Sequence, residues 1–196
     1  MKKLIKFNLS KIYIIIGVSL IIVSVLLLSV WQGNIYFSVI KRQEYVKTIQ
    51  SLIPTTHGSV LEEQNNNSMS VLSLEGVDFV GLLAMPKFNS VLPVGAQWGK
   101  SIKYPCKFNG SIYDRTIQIG ATTQKGQYDF YHEISVGDDV LFTDMVGKVY
   151  SYEISNIRYD THIDQTSLTA SNSDLTLFIK NIFDFNYIII SCCNLK

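Results

Sequence analysis

Residues Ile12 to Trp31, IYIIIGVSLIIVSVLLLSVW, contain no charged side chain in 20 positions. As a helix this run is roughly 30 Å long, which matches the hydrocarbon core of a bilayer. Lys2, Lys3, Lys6 and Lys11 precede it, with no acidic residue among them. Lysines on one flank of a span set its orientation, so the N-terminus is expected in the cytoplasm and the remainder outside. A cleaved signal peptide fits less well. The apolar run exceeds the usual length for one, and no small-x-small cleavage site follows it. Trp31, Tyr36 and Phe37 read as aromatics at the membrane interface.

The four leading lysines leave 13 basic residues against 16 acidic ones beyond Lys11, a net of −3. A weakly acidic ectodomain with no basic patch excludes nucleic acid as a partner. The three cysteines, Cys106, Cys192 and Cys193, give no disulfide framework. Cys106 and Cys192 either pair or stay buried as small apolar side chains. Cys193 faces away from Cys192, because neighbours on a strand point to opposite sides. Nothing in the sequence calls for a metal or a cofactor.

Lys41 to Ile53 has loose helical spacing at Tyr45, Ile49 and Leu52, which predicts a short juxtamembrane helix. Pro54 to Met69 is polar, includes Gln64-Asn65-Asn66-Asn67, and reads as a flexible tether. The domain boundaries follow: 1–11 cytoplasmic tail, 12–31 membrane anchor, 32–70 juxtamembrane helix and tether, 71–196 folded domain.

That domain reads as strands. Val77 to Met85 is an apolar run ended by Pro86, and Val91 to Val94 is an edge or bent strand because Pro93 lies inside it. Thr116 to Ala121 alternates. Asp139 to Thr143 and Lys148 to Tyr159 flank Asp144-Met145-Val146-Gly147, a hairpin signal, with Val149, Tyr152 and Ile154 as its apolar positions. Asp174 to Ile179 and Tyr187 to Cys192 complete the set. Seven or eight short strands with almost no helical periodicity predict an all-β, closed barrel.

Several segments, in their order, resemble the sortases, the cysteine transpeptidases that attach proteins to the Gram-positive cell wall. Phe79 to Val94 is similar to the sortase opening of strand, proline and second strand. Pro105 to Ser111 is similar to the segment before the histidine strand in clostridial-type members. Val136 to Val140 and Val146 to Tyr152 resemble the following hairpin, and Asp174 to Phe178 resembles the strand that carries the nucleophile. The resemblance implies a sortase-like barrel behind a membrane anchor.

It also implies three catalytic groups. A cysteine thiolate attacks a threonine carbonyl of the sorting signal, a histidine protonates the leaving amine, and an arginine donates to the oxyanion. Aligned without gaps, Ile119 to Thr123 covers the family's I-A-G-H-N, which puts Thr122 at the histidine position. Thr176 to Lys180 covers T-L-F-T-C, which puts Lys180 at the cysteine position. Tyr187 stands at the arginine position. All three groups are replaced, so the implied protein is a catalytically degenerate sortase. Its expected groove is lined by Thr122, Ile179, Lys180 and Tyr187, and by loops such as Arg158 to Ala170. Its implied partner is a sorting-signal-like peptide of a surface or pilus protein. The alternative is an active transpeptidase with relocated residues, drawing on Cys106, Cys192 or Cys193 with His132. His57, His132 and His162 otherwise read as exposed residues of tether and loops. Thr122 and Lys180 also raise a Ser/Lys-type hydrolase pair, in which a neutral lysine activates a hydroxyl.

Overall fold

Alternation of apolar and polar residues over short runs produces strands, and here eight of them close on themselves. The computed structural model describes residues 9–53, 68–99, 103–163, 173–184 and 186–195. One helix, α1 (Leu9–Leu52), precedes the strands β1 (Leu72–Leu74), β2 (Val77–Met85), β3 (Ser90–Gly95), β4 (Cys106–Asn109) and β5 (Ile117–Thr122). Then come β6 (Asp139–Asp144), β7 (Val149–Asp160), β8 (Leu175–Lys180) and β9 (Tyr187–Asn194). The sheet order is β1-β2-β3-β4-β5-β8-β9-β7-β6, and β6 returns to pair with β2. β2 to β9 therefore form the ring, and β1 extends the first half of β2 from outside it.

The chain divides into two compact units, Met1–Val39 and Ile40–Lys196. In the first, α1 exposes an apolar surface from Tyr13 to Phe37. Among the described residues this one helix is long and apolar enough to cross a membrane, with mean hydropathy 2.8 and none of that window buried. The juxtamembrane segment from Lys41 is helical to Leu52, as the last part of α1, which runs unbroken from Leu9. Residues 32–40 hold one glycine and no proline. A glycine costs a helix only about 1 kcal/mol relative to alanine, too little to interrupt one that is strong on both sides. The tether expected over 54–67 lies outside the described residues. Its last expected residue, Met69, is buried in the barrel core.

In the second unit the inner faces of the strands make one core. Leu175, Leu177 and Ile179 of β8 meet Ile188, Ile190 and Cys192 of β9, Ile117, Ile119 and Ala121 of β5, and Tyr152 and Ile154 of β7. The outward positions of these strands are Gln118, Gly120 and Thr122 on β5, Thr176, Phe178 and Lys180 on β8, and Tyr187 and Ile189 on β9. The alternation of β5 does not expose one face to water, for all six of its residues are buried. Its outer face is covered as well. Val149 is 55% exposed and is not a core position. It differs from Tyr152 by an odd number of residues and so points the other way.

Pro93 sits where a missing amide costs little. β3 pairs with β2 along its length but meets β4 only at Gly95↔Cys106. The β6–β7 turn is held by Asp144, whose Oδ1 accepts the amides of Val146 and Lys148 at 3.0 and 2.9 Å. Gly147 takes φ +88° there, a conformation that favours glycine.

Two smaller apolar clusters sit outside the ring. In one, Tyr45 and Ile49 from the end of α1 pack on Phe79 and Leu82. Leu52, expected on the same face, is 55% exposed. In the other, Phe178 and Ile189 carry Trp98, Ile163 and Tyr187.

Candidate functional site

Strand register brings the three positions singled out in the sequence into one line. Thr122 on β5 is the parallel partner of Lys180 on β8. Lys180 is the antiparallel partner of Tyr187 on β9, and Tyr187 of Asp160 on β7. Register partners share a face, so Thr122, Lys180, Tyr187 and Asp160 form a cross-strand row on the outer surface. Adjacent members stand roughly 5 Å apart, the spacing of strands in a sheet. The row is at the C-terminal ends of the parallel pair β5 and β8, where both chains leave the barrel.

Ile179 does not join it. Its side chain is fully buried in the core. The position beside Lys180 along the strand points inward by the two-residue period, so the groove-lining role expected for Ile179 is withdrawn.

Thr122 is nearly buried, at 8% exposure. The loop that follows β5 folds over it. The Thr122 amide donates to Gln127 Oε1 at 3.2 Å, and the Gln124 amide donates to Thr122 Oγ1 at 3.4 Å. The loop is tied to the other end of the row. The Thr123 amide donates to the Lys180 carbonyl at 3.1 Å, and the Ile182 amide to Thr123 Oγ1 at 3.2 Å. Lys180 and Tyr187 are half-buried, and the Lys180 ammonium lies 5.9 Å from the centre of the Tyr187 ring. Asn181, next in sequence, donates from Nδ2 to the Tyr131 hydroxyl at 3.1 Å.

Below the row the outer face is aromatic. Trp98 rests on Gly120 and Phe178, with ring centres 5.1 Å apart for the Trp98–Phe178 pair. Phe108 meets both rings edge-on. Such a face offers flat apolar contact beside a terminal strip of hydrogen-bonding groups: an ammonium, a phenol and a half-buried carboxylate. It supplies no thiol along the row.

The cysteines lie elsewhere, and none forms a disulfide. Cys192 pairs with Leu175, at the opposite end of β8 and β9 from Lys180 and Tyr187. Burial pushes its thiol well above the ordinary range. Cys106 is beside Gly120, and burial pushes its thiol up to about 11 while a Gly95 backbone contact opposes the shift. Both therefore stay protonated at neutral pH, the wrong state for a nucleophile. Cys193 is exposed on the outward side, as its position after Cys192 requires. Native protein treated with a maleimide should take up one equivalent, at Cys193. Cys106 and Cys192 should react only after unfolding. Uptake at either buried position in native protein, read by intact mass and peptide mapping, contradicts this assignment.

His132 is exposed on a single 3-10 turn, Tyr131–Glu133, with its ring 3.7 Å from that of Tyr131. His162 is exposed just after β7, and its amide donates to Asp160 Oδ1 at 3.2 Å. His57 and residues 164–172 of the β7–β8 connection lie outside the described residues. Among described residues no cluster of histidine, cysteine and carboxylate side chains could hold a metal.

Asp160 falls within the expected groove segment Arg158 to Ala170, but as the last residue of β7 rather than in a loop, and register brings it into the row. Two further contributors carry no sequence signal. Gln127 acts through a loop with no motif. Arg42 lies on α1 and reaches the same loop: its Nη1 and Nη2 donate to the carbonyls of Lys103 and Lys125, each at 2.6 Å. Burial lowers the Arg42 pKa, and the Asp129 carboxylate partly offsets this. The group remains a cation, as guanidinium does in proteins.

The barrel matches solved sortase structures. The pilus-related sortase C of group B Streptococcus superposes with a TM-score of 0.53 at 13% identity, over 82% of this chain and 91% of that one. Sortase C1 from Streptococcus agalactiae gives 0.53 at 18%, over 82% and 90%. Sortase C-3 from Streptococcus pneumoniae gives 0.52 at 13%, over 83% and 84%. The fold is the sortase fold. No protein-family model matches the chain, and no curated sequence does either. At 13–18% identity these matches show the fold alone.

Proposed function

We propose that the chain is a degenerate member of the sortase family, held in the cell membrane by residues 12–31, with the barrel on the outer side. The leading lysines support this orientation. On this reading the barrel recognises a sorting-signal-like peptide of a surface or pilus protein and does not cleave it. The observation that carries the reading is the row Thr122–Lys180–Tyr187. The resemblance assigns these positions to histidine, cysteine and arginine, and they lie on adjacent strands of one face. A threonine hydroxyl is no acid near neutral pH, an amine is no thiol, and a phenol carries one donor and no charge. What survives is recognition. The Lys180 ammonium and the Tyr187 hydroxyl can donate to peptide carbonyls or to a carboxylate, and the accessible parts of Trp98 and Phe108 can pack apolar side chains.

The test is calorimetric titration of the detergent-solubilised full chain with sorting-signal peptides. Saturable binding is expected, with affinity lowered about tenfold in Lys180→Ala, the loss of one charge-assisted hydrogen bond. Peptide recovered intact after incubation is expected as well. Absence of binding to every sorting-signal peptide ends the proposal.

A further inference from the structure

We infer that Arg42 is a positioning residue for the row, and that the segment 40–52 of α1 is a built-in part of the site. Arg42 is 4% exposed, whereas its neighbours Lys41, Gln43, Glu44 and Lys47 on α1 are exposed. Its two carbonyl partners are Lys103, just before β4, and Lys125, just after β5. β4 and β5 run antiparallel, with Cys106 opposite Gly120. The beginning of one strand and the end of the other therefore share one end of the sheet, and Thr122 is at that end. The guanidinium bridges the two chains there.

From Lys125 the restraint passes to Thr122 through a short ring of bonds. The Gln127 amide donates to the Gln124 carbonyl at 2.9 Å, and the Tyr128 amide to the Thr122 carbonyl at 3.4 Å. Gln127 Oε1 then accepts the Thr122 amide at 3.2 Å. The neighbouring residue Thr123 carries the ring on to the Lys180 carbonyl and the Ile182 amide. A shift at Lys125 is thus transmitted to Thr122 and to the backbone around Lys180.

The helix can act as a fixed post because it has its own anchors. Ile49 is fully buried, Tyr45 nearly so. Lys41 pairs with Glu75 at 2.8 Å, and Tyr45 donates to the same carboxylate at 3.2 Å. Tyr45 also packs against Phe79 and Tyr104, and Tyr104 follows directly on Lys103. The planar fork of arginine can serve two carbonyls at once, whereas a lysine offers a point charge to one region. The bearing of this on peptide recognition rests on the function proposed above, but the positioning itself does not.

Hydrogen exchange by mass spectrometry on the detergent-solubilised full chain tests it without a ligand. In Arg42→Ala the amides of 122–128 should exchange faster by about tenfold or more, as a locally released loop does. The β6–β7 hairpin, which Arg42 does not touch, should exchange as in the unaltered chain. Millimolar methylguanidinium should restore slow exchange to 122–128 in Arg42→Ala, and Arg42→Lys should remain fast. Unchanged exchange at 122–128 overturns the inference. So does equal acceleration in the hairpin, which marks general loss of stability. A parallel titration separates the two claims: unaltered chain that binds no sorting-signal peptide removes the proposed function, while the exchange pattern alone decides Arg42.

Discussion

Gly120→Ala should lower the stability of the barrel by about 3 kcal/mol, the cost of overpacking plus partial loss of a buried aromatic contact. For a domain of this size that is a fall of roughly 6–12 °C in Tm. A Cβ at position 120 would lie 1.9 Å from Trp98 Cζ3 and 2.5 Å from Phe178 Cζ. Phe178 is wedged between β5 and β9 and is 2% exposed, so it cannot retreat. Trp98 must swing away, giving up its place on Phe178 and Phe108. The decisive comparison is the double variant. In a Trp98→Ala background the same Gly120→Ala change should cost clearly less, because the nearer of the two rings is gone, while the Phe178 contact at 2.5 Å keeps a residual cost. Thermal unfolding of the four proteins measures the coupling. Equal cost with and without Trp98 would show that the indole does not rest on Gly120. The outcome also bears on function, since Trp98 covers the outer face just below the row, where an incoming peptide segment would have to pack.

Much of this arrangement is legible in the sequence, for physical reasons that differ from element to element. β2 runs from Val77 to Met85, the span read from its apolar run, with Pro86 opening the 3-10 turn that follows. The β6–β7 hairpin is visible because Gly147 and the Asp144 side chain are local requirements of the turn. The row is visible because Thr122, Lys180 and Tyr187 fall at strand ends that a family resemblance aligns. Other features depend on partners far away in sequence. Closure of β6 on β2 and the cover over both faces of β5 leave no periodic trace. Ile179 looked like a groove residue because it adjoins Lys180, but a strand's period sends it into the core. The membrane run over 12–31 and the helical spacing from Lys41 read as two elements, and nothing in 32–40 breaks a helix, so α1 joins them. Arg42 reads as one more charge after a membrane span. Its partners are two backbone carbonyls, 61 and 83 residues away, and carbonyls carry no sequence signature.

On the proposed function, the largest change in activity is expected from installing all three groups at once: Thr122→His, Lys180→Cys and Tyr187→Arg. The register supports the attempt. β5, β8 and β9 are neighbours, so the new cysteine would stand between the imidazole and the guanidinium, one strand from each. Two cationic neighbours lower a thiol pKa, which raises the share of reactive thiolate at neutral pH. The thiolate would attack a threonine carbonyl of the sorting signal, forming a C–S bond. The peptide C–N bond would break as the imidazolium protonates the leaving amine, and the arginine would donate to the oxyanion. An added amine nucleophile would then release the acyl group, measured as ligated product by mass spectrometry. Turnover in the triple variant should rise clearly above that of the unaltered chain. Reverting the histidine should cost about 10²–10⁴-fold, and reverting the arginine about 10²–10³-fold, the usual scale of a general acid and of one oxyanion donor. Reverting the cysteine should abolish it. The nearly buried Thr122 is the hard position, since an imidazole there removes the hydroxyl that accepts the Gln124 amide and needs room beneath the loop. Arg42 keeps the loop in register while that happens, so Arg42→Ala added to the triple variant should erase much of the gain. A triple variant that folds with unaltered Tm, binds sorting-signal peptide and still forms no acyl-enzyme would mean that the row binds peptide in a frame other than the transpeptidase one.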